Sequence, residues 1–197
     1  PPSRAAARAA LSLPQQAALV VYTGGLLEWK GVDVLVDAAR ELGDVLFVIA
    51  GGMGADVERL RARAGGMPNL RIEGFQAPER VPLYLAAGDL AVVPNRARPA
   101  ISARYTSPLK LFECMALGLP MVVSDLPALR DCLAEQEARF VPAEDARALA
   151  AALRELLADA PARERMRARL LARAAEHTWD ARAARLVRWM RERASAT

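Results

Sequence analysis

A chain of 197 residues, 53% of them hydrophobic and carrying a net charge of +4, is long enough to bury one α/β core and shows no disorder signature. The mild basicity does not call for nucleic acid, because arginines alternate with acids along stretches such as Asp56-Val57-Glu58-Arg59-Leu60-Arg61, as on a solvated helix face. No apolar run is long enough to span a bilayer, and Cys114 and Cys132 sit in apolar helical contexts without metal-ligand spacing, which reads as reduced core cysteines of a cytoplasmic protein.

Residues 1–16 are rich in Ala and Arg, hold Pro1, Pro2 and Pro14, and have no initiating Met; they read as a linker or the boundary of a fragment of a longer protein. Short apolar or β-branched runs follow at 18–23, 45–50, 70–73, 90–93, 120–123 and, more weakly, 138–141. Helical stretches lie between them at 32–42, 55–64, 79–87, 108–117 and 127–133, with Gly43-Asp44, Gly88-Asp89 and Gly118 at the joints as C-caps. This alternation predicts an α/β, doubly wound, Rossmann-like parallel sheet. Ligands of such sheets bind beyond the carboxyl ends of the strands, at a topological switch point. From 145 to 194 the pattern is helical throughout, broken near Pro161 and at His177-Thr178-Trp179, where Thr178 can cap the last helix. The sheet domain is thus placed at 17–177. The segment 178–197 is a C-terminal helix whose apolar face, Trp179, Leu186, Val187 and Met190, is available to the sheet or to a domain outside the chain.

Only two of the basic residues are lysines, Lys30 and Lys110, and both fall where a loop after a strand runs into a helix. Lys110 lies in the first turn of a helix opened by Ser107-Pro108, where its charge opposes the macrodipole. A bound anion, most simply a phosphate, removes the conflict; a side chain pointing into solvent is the alternative. In the loop 22–31, Gly24 and Gly25 allow a tight turn open to a ligand and Lys30 adds a mobile charge. The loop 50–54 matches part of a dinucleotide fingerprint through Gly52 and Gly54, with Glu73 as ribose acceptor. That match would suit an NAD-dependent oxidoreductase, but Val57 stands where a third small residue is required. Glu113, set among Leu111, Phe112, Met115 and Ala116, needs either an arginine partner or the diol of a ligand such as ribose.

These motifs together resemble the C-terminal, donor-binding half of a GT-B, group 1 (family 4) retaining glycosyltransferase. The likeness runs from about Ala18 to Arg191, through the loop 25–31, the turn Gly74-Phe75-Gln76, the stretch 83–89, Pro94-Asn95-Arg96, the highly specific block 112–120, and Trp179-Asp180. The resemblance implies a nucleotide-diphosphate sugar, UDP-linked or otherwise, as partner. It implies no cofactor and no metal in this domain, and acceptor recognition in a missing N-terminal domain; contact with a membrane surface through that absent domain stays open. By the same resemblance Lys30 and the backbone of Thr106, Ser107, Pro108 and Leu109, with the N–H groups of the three that are not proline, are placed at the donor diphosphate, Glu113 at the ribose and Gln76 near the base. Two departures stand out. Tyr105 replaces the first Glu of the paired-Glu motif, and Gly25 replaces the Arg that commonly follows the first-loop Gly, so Lys110 is the candidate for the missing cation. Transition-state charge is assigned to Lys30 and Lys110; a non-catalytic nucleotide-binding module is the remaining alternative. The single histidine, His177, is read as structural.

Overall fold

The computed structural model describes residues 2–106 and 109–194. In chain order it contains α1 (Arg4–Ala10), β1 (Leu19–Thr23), a 3₁₀ turn (Glu28–Lys30), α2 (Val32–Arg40), β2 (Leu46–Ala50), α3 (Gly54–Ala64), β3 (Leu70–Gly74), a second 3₁₀ turn (Pro78–Arg80), α4 (Val81–Ala87) and β4 (Leu90–Val93). A π-helical turn (Ile101–Tyr105) leads to α5 (Leu109–Leu117), β5 (Met121–Ser124), α6 (Pro127–Arg130), β6 (Arg139–Val141), α7 (Ala146–Ala158), α8 (Ala160–Ala174) and α9 (Trp179–Ala194).

All six strands are parallel, in the order β3-β2-β1-β4-β5-β6. The inner strands β1, β4 and β5 are buried at every position, which is why each reads as an unbroken apolar run rather than an alternation. The order reverses between β1 and β4, so the crevice of this doubly wound sheet opens between their carboxyl ends.

Several element ends differ from the sequence reading. The second helix stops at Arg40, because the Glu41 amide turns back to Ala38 and Ala39, and Gly43 lies beyond the cap. Pro82 places the start of α4 at Val81, since a residue without an N–H is accommodated in a first turn. The helix expected at 127–133 is a single turn that ends at Arg130. Gly88 is extended, with φ −73°, and acts through size: a Cβ there would lie 2.7 Å from Val21 Cγ1. Gly118 is the left-handed C-cap expected, with φ 59°.

The largest correction concerns the stretch read as a linker, whose described part, residues 2–16, is built into the domain. Ser3 caps α1 by accepting from the Ala6 amide, and this Ala-rich helix packs against α4. Arg8 is buried in the contact. Its guanidinium donates to the carbonyls of Pro14, Gln15, Ala17 and Ala87 and to Asp89 Oδ2 at 2.9 Å. Asp89 in turn accepts from the Leu19 amide at 2.9 Å, so the pair ties α1 to the start of β1. A buried arginine with all three nitrogens hydrogen-bonded is a fixed part of the domain, whereas composition alone made it look solvated.

At the other end, Asp145 and Asp159 cap α7 and α8, and Thr178 Oγ1 accepts from Ala181 to cap α9 as expected. None of the residues of α9 is buried. Trp179, Leu186, Val187 and Met190 are exposed, so this face does not pack on the sheet. No helix among the described residues is long and apolar enough to cross a membrane.

Candidate functional site

The crevice is built by two loops locked backbone to backbone. The Trp29 carbonyl, in the loop after β1, accepts from the Arg96 amide at 2.9 Å and from Ser102 Oγ at 3.2 Å, both after β4. Gly31 has φ 66°, and a Cβ there would lie 1.9 Å from the Pro94 carbonyl oxygen; only glycine permits this approach.

A cleft of about 380 Å³ between these loops is lined by Gly24, Gly25, Lys30, Thr106, Lys110 and Glu113, with Thr23, Val81 and Leu109 completing its walls. A second cavity of about 490 Å³ shares Gly24, Gly25 and Val81 and extends past Leu26, Met53, Phe75 and Gln76. One chamber is cationic and the other largely apolar, as a ligand with a charged middle and a flat, uncharged end requires.

Lys110 carries the site's least expected geometry. It is only 9% exposed, yet Nζ has no hydrogen-bond partner among the described residues. The ammonium stands 3.7 Å from the centre of the Tyr22 ring, whose hydroxyl donates to the Gly25 carbonyl at 2.7 Å. Burial, and then the Lys30 charge, pull the Lys110 pKa down to about 7, while Cys114 and Glu113 act in the opposite direction. Lys30 is half-buried, lies 4.0 Å over the Trp29 ring, and has its pKa lowered by desolvation. Glu113 is on the exposed flank of α5 and makes no ion pair among the described residues. Desolvation at the cleft raises its pKa, and the Lys110 charge partly offsets that rise. The arginine partnership considered for Glu113 is therefore not formed.

The fold brings together seven of the residues singled out in the sequence: Gly24, Gly25, Lys30, Thr106, Leu109, Lys110 and Glu113. Gln76 belongs to the adjoining chamber, where its Nε2 donates to the Glu73 carbonyl at 3.2 Å. Ser107 and Pro108, and the helix start assigned to them, lie outside the described residues. Tyr105 is a correction: it is 76% exposed and lines neither chamber, because the π-helical turn directs the chain so that Thr106 faces the cleft. The sequence reading gave Val81 no role in the site, although it forms a wall common to both chambers; an apolar residue opening a helix carries no signal of that. His177 lies against Phe112 with ring centroids 5.1 Å apart and lines neither chamber.

Of the glycines after β2, Gly51 and Gly52 serve packing, while a Cβ on Gly54 would meet nothing within 4 Å. A Cβ on Gly52 would meet Leu26 Cδ1 at 2.3 Å, Glu73 is paired with Arg71 at 2.6 Å, and β1, not β2, borders the switch point. The NAD-dependent alternative through Gly52 and Gly54 finds no support. Among the described residues no group of three or more His, Cys, Asp or Glu is placed to hold a metal ion.

Residues 17–159 match the family model described as glycosyl transferases group 1. The chain belongs to this family. Among its relatives, this group 1 domain is 31% identical over 155 residues to alpha-D-kanosaminyltransferase of Streptomyces kanamyceticus, covering 75% of the chain and 38% of that protein. It is 33% identical over 164 residues to phosphatidyl-myo-inositol mannosyltransferase of Mycobacterium leprae, covering 81% of the chain and 42% of that protein. The chain thus spans less than half the length of these relatives. Sucrose-phosphate synthase from Thermosynechococcus elongatus superposes with a TM-score of 0.82 at 27% identity, over 97% of this chain and 49% of that one. Anabaena HepE, solved with UDP and glucose, gives a TM-score of 0.79 at 18% identity over 98% and 52% of the two chains; this likeness shows the fold. The glycosyltransferases of this comparison have the GT-B fold, and the sheet with its helical C-terminal part matches one half of it.

Proposed function

We propose that this domain holds a nucleotide-diphosphate sugar for a glycosyltransferase, with acceptor recognition supplied by a separate domain. The observation that carries the reading is the buried Lys110 ammonium, without a hydrogen-bond partner among the described residues, beside Lys30 at the switch point of the sheet. A desolvated cation with no acceptor in reach costs free energy unless an anion arrives, and the diphosphate is the anion that fits between the two lysines. The nucleoside then lies in the apolar chamber towards Phe75 and Gln76, with Glu113 accepting from the ribose hydroxyls at the junction.

In this reading the domain's chemistry is electrostatic. As the bond from the sugar to the diphosphate breaks, its electron pair stays on the phosphate oxygen, and Lys30 and Lys110 neutralise the charge that collects there. Their positions are fixed before the reaction by the Tyr22 ring and the Trp29 loop, so little reorganisation is needed. UDP is the first nucleotide to test, given the complex of HepE. Calorimetric titration of the chain with UDP, GDP, ADP and NAD tests the proposal: one nucleoside diphosphate should bind measurably and NAD should not. Binding of NAD alone would overturn it.

The exposed position of Tyr105 favours a second reading, a nucleotide-binding module that lacks transfer. The cleft here gains no sugar-facing carboxylate from that residue. Transfer of sugar by the complete protein that bears this domain would exclude this second reading.

A further inference from the structure

The cleft sets up a conflict: a lysine almost wholly removed from water, no hydrogen-bond acceptor for its Nζ among the described residues, and a second lysine lining the same cavity. A buried ammonium can shed this cost by giving up its proton, and a bound dianion reverses the balance. We propose that Lys110 enters the empty site largely as a neutral amine at mildly alkaline pH and takes up a proton when a diphosphate binds, so that occupancy of the cleft is coupled to proton uptake. This rests on the reading of the cleft as a diphosphate site.

The proton comes from solvent, and the surroundings offer few other groups able to take it up. The titratable and charged groups around the Lys110 amine are Lys30 from the first loop, Tyr22 beneath it on β1, and Glu113 and Cys114 one turn along α5. Tyr22 and Cys114 are both held in their neutral forms by burial, with the Cys114 thiol pushed up to about 12, so neither titrates near neutrality. Glu113 is the nearby carboxylate, and its attraction is outweighed by desolvation and by Lys30. The Tyr22 ring offers its face in place of an acceptor, an attraction too weak to hold a full charge at that depth. Gly24 is part of the same device: a methyl group there would sit 3.3 Å from Nζ, in the space through which the amine reaches the cleft. With the Lys110 pKa near 7 in the empty site, the amine is mostly neutral at pH 8, where the terminal phosphate of a nucleoside diphosphate is already fully ionised. Uptake at that pH therefore belongs to the protein.

The experiment is calorimetric titration of the chain with UDP, GDP and ADP at pH 8 in buffers of different ionisation enthalpy. The slope of observed heat against buffer enthalpy counts the protons exchanged. The nucleotide that binds should bring close to one proton with it; Lys110→Met should bind more weakly and abolish the uptake, and Lys30→Met should bind more weakly but retain it. Binding by the wild-type chain with no proton uptake overturns this proposal while leaving the diphosphate site intact. Uptake that persists in Lys110→Met and vanishes in Lys30→Met overturns it in favour of Lys30. Failure of all three nucleotides to bind overturns the reading of the site itself.

Discussion

Nζ of Lys110 lies 3.7 Å from the centre of the Tyr22 ring, and the hydroxyl of that same ring holds the Gly25 carbonyl at 2.7 Å. One aromatic residue on β1 thus sets both the height of the buried lysine and the path of the glycine loop it faces. The relation explains why a lysine tolerated at such cost remains in a core otherwise filled by Leu111, Cys114 and Met115.

A residue kept for binding at the expense of stability leaves a mark of opposite signs. Lys110→Met preserves volume and removes the uncompensated amine, so the ligand-free domain should become more stable, by about 1–3 kcal/mol. Affinity for a nucleoside diphosphate should fall by roughly 1.5–3 kcal/mol, with much less change for the free nucleoside. Chemical denaturation and titration of the same variant measure both. Lys30→Ala should lose affinity comparably without the gain in stability, because Lys30 is only half-buried.

Gly25 is where the resemblance leads one to expect an arginine, and the backbone there leaves open space for a side chain to begin. A Cβ on Gly25 meets nothing within 4 Å, whereas Gly24, with φ +125°, has Lys110 Nζ at 3.3 Å. Placing Gly25→Arg in the Lys110→Met background should restore at least tenfold of the lost diphosphate affinity. Gly24→Ala in the wild type should weaken it through backbone strain and crowding of the amine. If the arginine recovers nothing, the two positions do not serve the same phosphate charge.

Glu113 has no arginine partner among the described residues, which separates its stability from its binding role. Glu113→Gln should leave the melting temperature almost unchanged, weaken a ribonucleotide by roughly 1–3 kcal/mol, and shrink its advantage over the deoxyribose analogue. An unchanged ribose preference would remove Glu113 from the site.

The sheet was legible because each inner strand is buried on both faces and therefore appears as an apolar run between helix caps. The site was legible in part for a related reason: glycines and lysines are scarce enough at strand-to-helix joints to stand out. What stayed hidden is long-range pairing. Arg8 looked like one more solvated arginine because Asp89, its partner, is 81 positions away, and nothing local marks a guanidinium whose nitrogens will all be bonded inside. Tyr105 was misplaced for a similar reason: a match in spacing says which residue stands at a position, while the π-helical turn decides which way it faces. Replacing Arg8 by Met leaves Asp89 only the exposed Arg4 as a charged partner and removes the guanidinium bonds that hold residues 14–17; it should destabilise the domain and expose residues 4–10 to proteolysis, a result that a true linker would not give.

The depressed pKa of Lys110 fixes the sign of a last expectation. Its amine is protonated up to about 10.5 when the chain is unfolded but only up to about 7 in the folded, empty site. Between these values the unfolded state binds more protons, so stability rises with pH across the window and is lost as pH falls towards 7. The slope from this one group approaches about 1.4 kcal/mol per pH unit in the middle of the window. Above pH 9 Cys114, whose thiol is raised in the fold, begins to act in the opposite direction, so the cleanest interval is pH 7.5 to 8.5. Lys30, also depressed, adds a slope of the same sign, which the comparison must subtract. Denaturation midpoints of the wild type and Lys110→Met, measured across that interval without nucleotide, should converge as pH rises, because deprotonation removes the cost that the methionine lacks. Parallel lines would mean that Lys110 keeps its proton in the empty cleft.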